Sequence, residues 1–179
     1  MEERKGDWQQ TFTGIRFWPL DPRPEEICIE DIAHALSNQC RFSGHVRKFY
    51  SVAEHSVRVS LRVAHPHKLW GLLHDASETY MTDLARPIKH YSRLGDAYRE
   101  IEEPLMRCVC ARFGLSPAEP PEVKIADNEL LMTEKRDLMR PGPAKWREEN
   151  FQPLRGIISP WYPEVAEKAF LAMYYLLIR

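Results

Sequence analysis

Apolar residues recur at helical spacing along most of this chain, interrupted by stretches rich in proline, glycine and charge. Ile29, Ile32, Ala33 and Leu36 follow one another on one helical face, and Pro24-Glu25-Glu26 ahead of them predicts a helix opening at the proline. Ser51-Val52-Ala53-Glu54 matches the S-x-x-E capping box, in which the serine oxygen accepts from an orphan N–H and the glutamate reaches back. A helix is therefore expected from there, with His55 in its first turn and Val52, Val59 and Val63 for packing. Leu69, Leu72, Leu73 and Ala76 mark the buried face of a helix that Pro66 would start. The pattern fades across Thr82-Asp83-Leu84-Ala85-Arg86-Pro87-Ile88-Lys89, a loop or short helix limited by Pro87. Tyr98, Ile101, Leu105 and Val109 predict a long helix capped by Asp96, bent at Pro104 and closed by Gly114. Val123, Leu130, Leu131 and Leu138 predict another, from Glu122 to about Met139, with Lys124, Asp127 and Leu131 on one side. Pro141-Gly142-Pro143 stops it, and Pro163 opens a terminal helix bearing Val165, Ala169, Phe170, Met173 and Leu177.

Between these blocks the pattern is irregular. Residues 1–24 carry aromatics and prolines without period and read as an extended arm that packs Ile15, Phe17 and Trp18. His34 lies off the apolar row of its helix and reads as a surface residue. Asn38 to Tyr50 is polar and glycine-bearing, a loop or irregular strand that gathers Arg41, His45, Arg47 and Lys48. Residues 144–162 look irregular, anchored by Trp146 and Trp161. No strand alternation stands out, so the expected fold is all-α, a single domain over residues 1–179 with a terminal helix at 163–179.

Composition narrows the function. The chain has 179 residues, 44% apolar and 28% charged, enough for a sizeable core and unlike a disordered polymer. A net charge of −1 argues against electrostatic binding to duplex nucleic acid or to an anionic membrane, while a local cation cluster still admits a small anion. Cys28, Cys40, Cys108 and Cys110 form no CxxC pair and read as reduced, mostly buried thiols. No signal-peptide core follows Met1, and no run of about 18 apolar residues occurs, so a cytoplasmic protein is expected.

The candidate chemistry centres on Leu69-Trp70-Gly71-Leu72-Leu73-His74-Asp75-Ala76-Ser77-Glu78, an apolar helical run ending in adjacent histidine and aspartate. His55, His74, Asp75 and Asp127 offer two imidazoles and two carboxylates, a donor set that suits Co, Mn, Zn, Ni or Fe rather than a pure magnesium or calcium site. Adjacent helical side chains diverge by about 100°, so His74 and Asp75 meet one ion near a distortion of the helix. One divalent transition metal there would bring the pKa of a bound water to about 7. Glu78, at i+4 from His74, lies on the right face to handle a proton.

The order His55, His74-Asp75, Asp127 resembles the H…HD…D signature of the HD-domain metal-dependent phosphohydrolases. The likeness is closer to the small nucleotide-hydrolysing branch, the bacterial 5′-deoxynucleotidases and phage dATP triphosphohydrolases. Ala53-Glu54-His55-Ser56, His74-Asp75-Ala76-Ser77-Glu78 and Thr82-Asp83-Leu84 leading to Pro87-Ile88-Lys89 carry it, over about residues 38–140. The resemblance implies an HD-type helical bundle that hydrolyses a deoxynucleoside phosphate. It implies that Glu78 positions or deprotonates water and that Asp83 fixes the pocket near the leaving group. It also implies that Arg41 holds phosphate or sugar, that Lys89 binds phosphate, and that Lys124, facing the same pocket, binds a polyphosphate.

This chain departs from the nucleotidases in having Arg41-Phe42-Ser43-Gly44 where they carry an Arg-Trp pair; Phe42 would then stack on sugar or base. The cations lean toward a polyphosphate over a monophosphate, and both substrates use one metal site. Two rivals stand beside this reading: an enzyme of the same scaffold acting on a signalling nucleotide, and a non-catalytic helical module with a structural metal. The apolar terminal helix and the tryptophan-bearing arm suggest a homo-oligomer.

Overall fold

The computed structural model describes residues 4–147 and 150–179. In chain order the elements are β1 (Gln9–Gln10), β2 (Arg16–Phe17), a 3₁₀ turn at Pro24–Glu26, α1 (Ile29–Asn38), a 3₁₀ turn at Arg41–Gly44, α2 (Val52–Arg62), α3 (Lys68–Leu73), α4 (Glu78–Met81), α5 (Arg86–Tyr91), α6 (Arg93–Phe113), α7 (Pro121–Leu138) and α8 (Pro163–Leu177). The chain is mostly helical, as its periodicity implies. It also has an antiparallel ribbon that pairs Gln9 with Phe17 and Gln10 with Arg16. That ribbon is the one departure, among the described residues, from the all-α expectation; strands of two residues are too short to show an alternation. The chain divides into two compact units, one running to Leu36 and resuming over Asp75–Ala118, the other Ser37–His74 with Glu119–Arg179.

In the first unit, Phe17 is fully buried and stacks on Tyr80 with ring centroids 3.9 Å apart. The Pro24 helix is shorter than its sequence suggests. Its 3₁₀ turn ends at Ile27 in extended conformation, and α1 starts afresh at Ile29. The Ile27 carbonyl instead accepts from Arg112 Nε of α6 at 2.9 Å. His34 is half-buried rather than on the open surface, stacked on Phe12 at 3.6 Å. The cap of α6 is Ser92, whose hydroxyl accepts from the Gly95 N–H at 3.2 Å; Asp96 lies inside the first turn, paired with Arg99. Gly95 explains the choice. A Cβ there would collide with the Lys89 carbonyl, so α5 can turn directly into α6 only with glycine at this point. Gly114, left-handed at φ 67°, closes α6.

The second unit is built on α2, which packs against α3, α7 and α8. Ser51 caps it as expected, accepting from the Glu54 N–H at 3.0 Å. The other half of the capping box is absent. The buried Glu54 carboxylate turns instead to Arg58, at 2.9 and 2.7 Å, and to the Trp161 N–H at 2.7 Å. Gly71 lets α3 approach α2 closely, since a Cβ would lie 3.3 Å from Ser60 Cα and from Val63 Cγ2. That close approach carries His74 toward α2. On α8, Ala166 and Phe170 are buried, whereas Val165, Tyr175 and Leu176 are exposed. The four cysteines are free thiols. Among the described residues no helix is long and apolar enough to cross a membrane.

Candidate metal centre

The loop before α2 is pinned at both flanks. Arg41 N–H donates to the Tyr50 carbonyl at 2.9 Å, Val52 N–H to Gln39 at 3.1 Å, and Cys40 bridges to Ser51. These bonds set Arg41 beside the first turn of α2, where His55 is fully buried. His55 Nδ1 lies 2.6 Å from Oε1 of Glu134, a fully buried glutamate on α7. The other Glu134 oxygen accepts from Arg41 Nε at 3.2 Å and lies 3.1 Å from its Nη2.

His74 directly follows α3, and its Nδ1 lies 2.9 Å from the Gly71 carbonyl. A neutral imidazole carries one N–H. Donation from Nδ1, to a carboxylate in one ring and a carbonyl in the other, makes Nε2 the lone-pair nitrogen in both. Those two Nε2 atoms are 3.2 Å apart, and Asp127 Oδ1 is 3.3 Å from His55 Nε2. Acceptors this close repel unless a shared proton or a cation lies among them. The outer partners match the pattern in which a carboxylate or a backbone carbonyl orients a metal-binding histidine. His55, His74 and Asp75 offer ligand atoms that all lie within 4.8 Å of one another, a group that could hold a metal ion. Asp127 meets this group at His55. The expected helix distortion is present too, for α3 ends at Leu73 and a turn carries His74 and Asp75 ahead of α4.

Burial opposes ionisation of Asp127, yet its neighbours His55, Lys124 and His74 together hold its carboxyl well below the usual range. Lys124 Nζ is 2.7 Å from Asp127 Oδ2, which leaves Oδ1 facing His55. Glu134 behaves alike: burial pushes its carboxyl up, and Arg41 and His55 bring it net below its ordinary value. Burial drives the neighbouring Tyr50 phenol well up, and Glu134 adds to the shift.

The other expected site residues fall into two groups. Arg41 and Lys124 lie at the cluster just described, and Phe42 follows Arg41, with its ring 5.3 Å from the guanidinium and 6.2 Å from the Trp146 ring. Phe42 and Ser43 adopt left-handed φ of 56° and 50°, a region that residues other than glycine seldom enter. Glu78, Asp83 and Lys89 belong to the unit that contains Asp75–Ala118. Glu78 is buried at the start of α4, and Asp83 is exposed between α4 and α5. Lys89 pairs with Glu102 at 2.8 Å and lies 4.9 Å from the Tyr98 ring. Of the loop cations, Arg47 donates to the Asp137 carbonyl on α7 at 2.6 Å and so adds a second tie between the loop and that helix. Glu134 itself escapes the sequence reading. Its signal is its place at i+7 from Asp127, two turns along the same face of α7.

A mostly helical chain with a histidine–aspartate group able to hold a metal ion defines the class. No family model matches the chain. It is 41% identical over 129 residues to the uncharacterized protein YfdR of Escherichia coli, covering 72% of this chain and 71% of that protein. It is 38% identical over 131 residues to an uncharacterized protein of Rhodobacter capsulatus, covering 68% of this chain and 66% of that one. The chain belongs to the family of YfdR.

Proposed function

We propose that this chain is a metal-dependent phosphohydrolase of the HD type that hydrolyses deoxynucleoside phosphates, as a dNTP triphosphohydrolase or a 5′-deoxynucleotidase. The observation that carries the reading is the group of His55, His74 and Asp75, whose ligand atoms all lie within 4.8 Å of one another, with Asp127 Oδ1 3.3 Å from His55 Nε2 and His55 backed by the buried Glu134. Two imidazoles with carboxylates fit a divalent Co, Mn, Zn, Ni or Fe ion, held by His55, His74, Asp75 and Asp127. Such an ion supplies Lewis acidity toward a phosphoryl oxygen and an acidified water.

The chain's own residues do the rest. The planar guanidinium of Arg41 matches phosphate geometry and stabilises charge that develops on the phosphoryl oxygens. Lys124, beside Asp127, offers a second cation, and Lys89 exchanges Glu102 for a distal phosphate. Three such cations are more than one phosphate requires, which favours a triphosphate. Glu78 takes the proton of the attacking water, and Asp83 fixes the leaving-group side. Phe42, with Trp146 nearby, supplies an aromatic surface for the base or sugar. Free thiols accord with a cytoplasmic protein, and the exposed apolar residues of α8 with a homo-oligomer, which a mass measurement in solution checks.

The test is a panel of deoxy- and ribonucleoside mono- and triphosphates, with the released phosphate species identified. Hydrolysis of deoxynucleotides is expected, with Glu78→Ala lowering kcat about 10²–10⁴-fold at unchanged metal content. An inert wild type with full metal occupancy contradicts the enzyme reading and favours a structural metal. Preference for a signalling ribonucleotide contradicts the substrate class.

A further inference from the structure

Glu134 serves two partners with two different oxygens. Oε1 receives His55 Nδ1 at 2.6 Å, and Oε2 takes the Arg41 guanidinium at 3.2 Å from Nε and 3.1 Å from Nη2. The carboxylate is fully buried, and a charge there survives only when each oxygen is compensated. Arg41 would suffice to neutralise it. The division by oxygen adds something neutralisation does not require: it fixes the His55 tautomer with Nε2 toward His74 and Asp127, and it sets the plane of the guanidinium. Arg41 also sits on a loop whose backbone is pinned to Tyr50 and whose next two residues are left-handed, so its side chain ties that loop to α7.

We propose that Glu134 is a positioning residue that couples the metal centre to phosphate recognition, orienting His55 for the ion while holding Arg41 for the substrate. The inference rests on His55 as metal ligand and Arg41 as phosphate contact. A carboxylate can accept on both sides; an amide cannot. In Glu134→Gln, an oxygen turned to His55 presents NH₂ to the Arg41 guanidinium and repels it. An oxygen turned to Arg41 presents NH₂ to His55 Nδ1 and forces the hydrogen onto Nε2, where it blocks coordination. Either way one partner is lost, and exchange between the two orientations weakens both.

Calorimetry decides it. Cobalt(II) is titrated into metal-free wild type, Glu134→Gln, Arg41→Met and the double variant, and inorganic phosphate into each protein at saturating cobalt. Glu134→Gln is expected to bind cobalt about 10–100-fold more weakly, and Arg41→Met to bind phosphate about tenfold more weakly, the scale of one charge-assisted contact. At saturating cobalt, Glu134→Gln weakens phosphate binding as well, and the double variant binds phosphate no more weakly than Arg41→Met alone. Should Glu134→Gln fail to fold by circular dichroism, Glu134→Asp, which keeps the charge and shortens the reach, is expected to show the same two losses. Unchanged cobalt affinity in the folded Glu134 variant, or phosphate losses that add in the double variant, overturns the proposal while the metal site stands. A wild type that binds no cobalt overturns the metal site and this proposal together. A wild type that binds cobalt but hydrolyses no nucleotide defeats only the enzymatic reading, because the coupling between cobalt and phosphate is measured without turnover.

Discussion

Asp137, just before the end of α7, accepts Arg136 Nε and Nη2 at 2.7 and 2.9 Å and the Ile158 N–H at 2.8 Å, so one carboxylate ties the 154–158 segment to the helix. The Arg136 hydrogen bonds hold its carboxyl below the ordinary 3.8, against some opposition from burial. The sign follows from linkage: a depressed folded value means a stabilisation fully present above pH 3.8 and lost as pH falls through the folded value. Amide exchange at Ile158 is therefore expected to accelerate below that pH in the wild type and to show no such acid step in Asp137→Asn; equal acid steps in both would contradict it. At the candidate site, His55, His74-Asp75 and Asp127 stand out in the sequence by their order, a histidine, an adjacent histidine–aspartate pair and an aspartate on three expected helices. Glu134 is not, because a glutamate on a helix ordinarily faces water and only its tertiary partners reveal that this one is buried. Phe42 is half legible: its aromatic character is in the sequence, its left-handed backbone is not.

Helices are legible where their signals are local. The Ser51 cap, the Gly114 stop and the apolar faces of α2, α3 and α7 all act within a turn or two of themselves. The boundaries that differ from expectation depend on distant partners. Glu54 leaves its capping role because Arg58 and the Trp161 N–H compete for it. Ser92 rather than Asp96 opens α6 because Gly95 must pass the Lys89 carbonyl. Gly71 carries the corresponding prediction for the site. A methyl group 3.3 Å from the Ser60 backbone is tight enough that α3 must yield by a few tenths of an ångström, and with it the Gly71 carbonyl that holds His74. Gly71→Ala is expected to cost about 1–3 kcal/mol in chemical denaturation, the usual penalty of overpacking, and to weaken metal binding. A variant as stable as wild type with intact metal affinity would show that this close approach does not position His74.

At the scale of the whole molecule, periodicity shows that the chain is mostly helical but not which helices assemble, since that depends on residues far apart in sequence. α2 meets α7 and α8 across long intervals, and the α2–α7 packing brings His55 to Asp127 and Glu134. A ligand that binds only this folded arrangement stabilises it by about 2.7 kcal/mol at a hundredfold excess over Kd. The most direct measurement is therefore metal content and thermal unfolding of the whole chain, stripped with chelator and reloaded with cobalt, beside His74→Ala and Asp127→Asn. One ion per wild-type chain, a melting temperature that rises on reloading, and loss of both effects in the variants is the predicted result. Variants that retain the ion and the thermal shift as fully as wild type would contradict a metal centre at His55, His74 and Asp127.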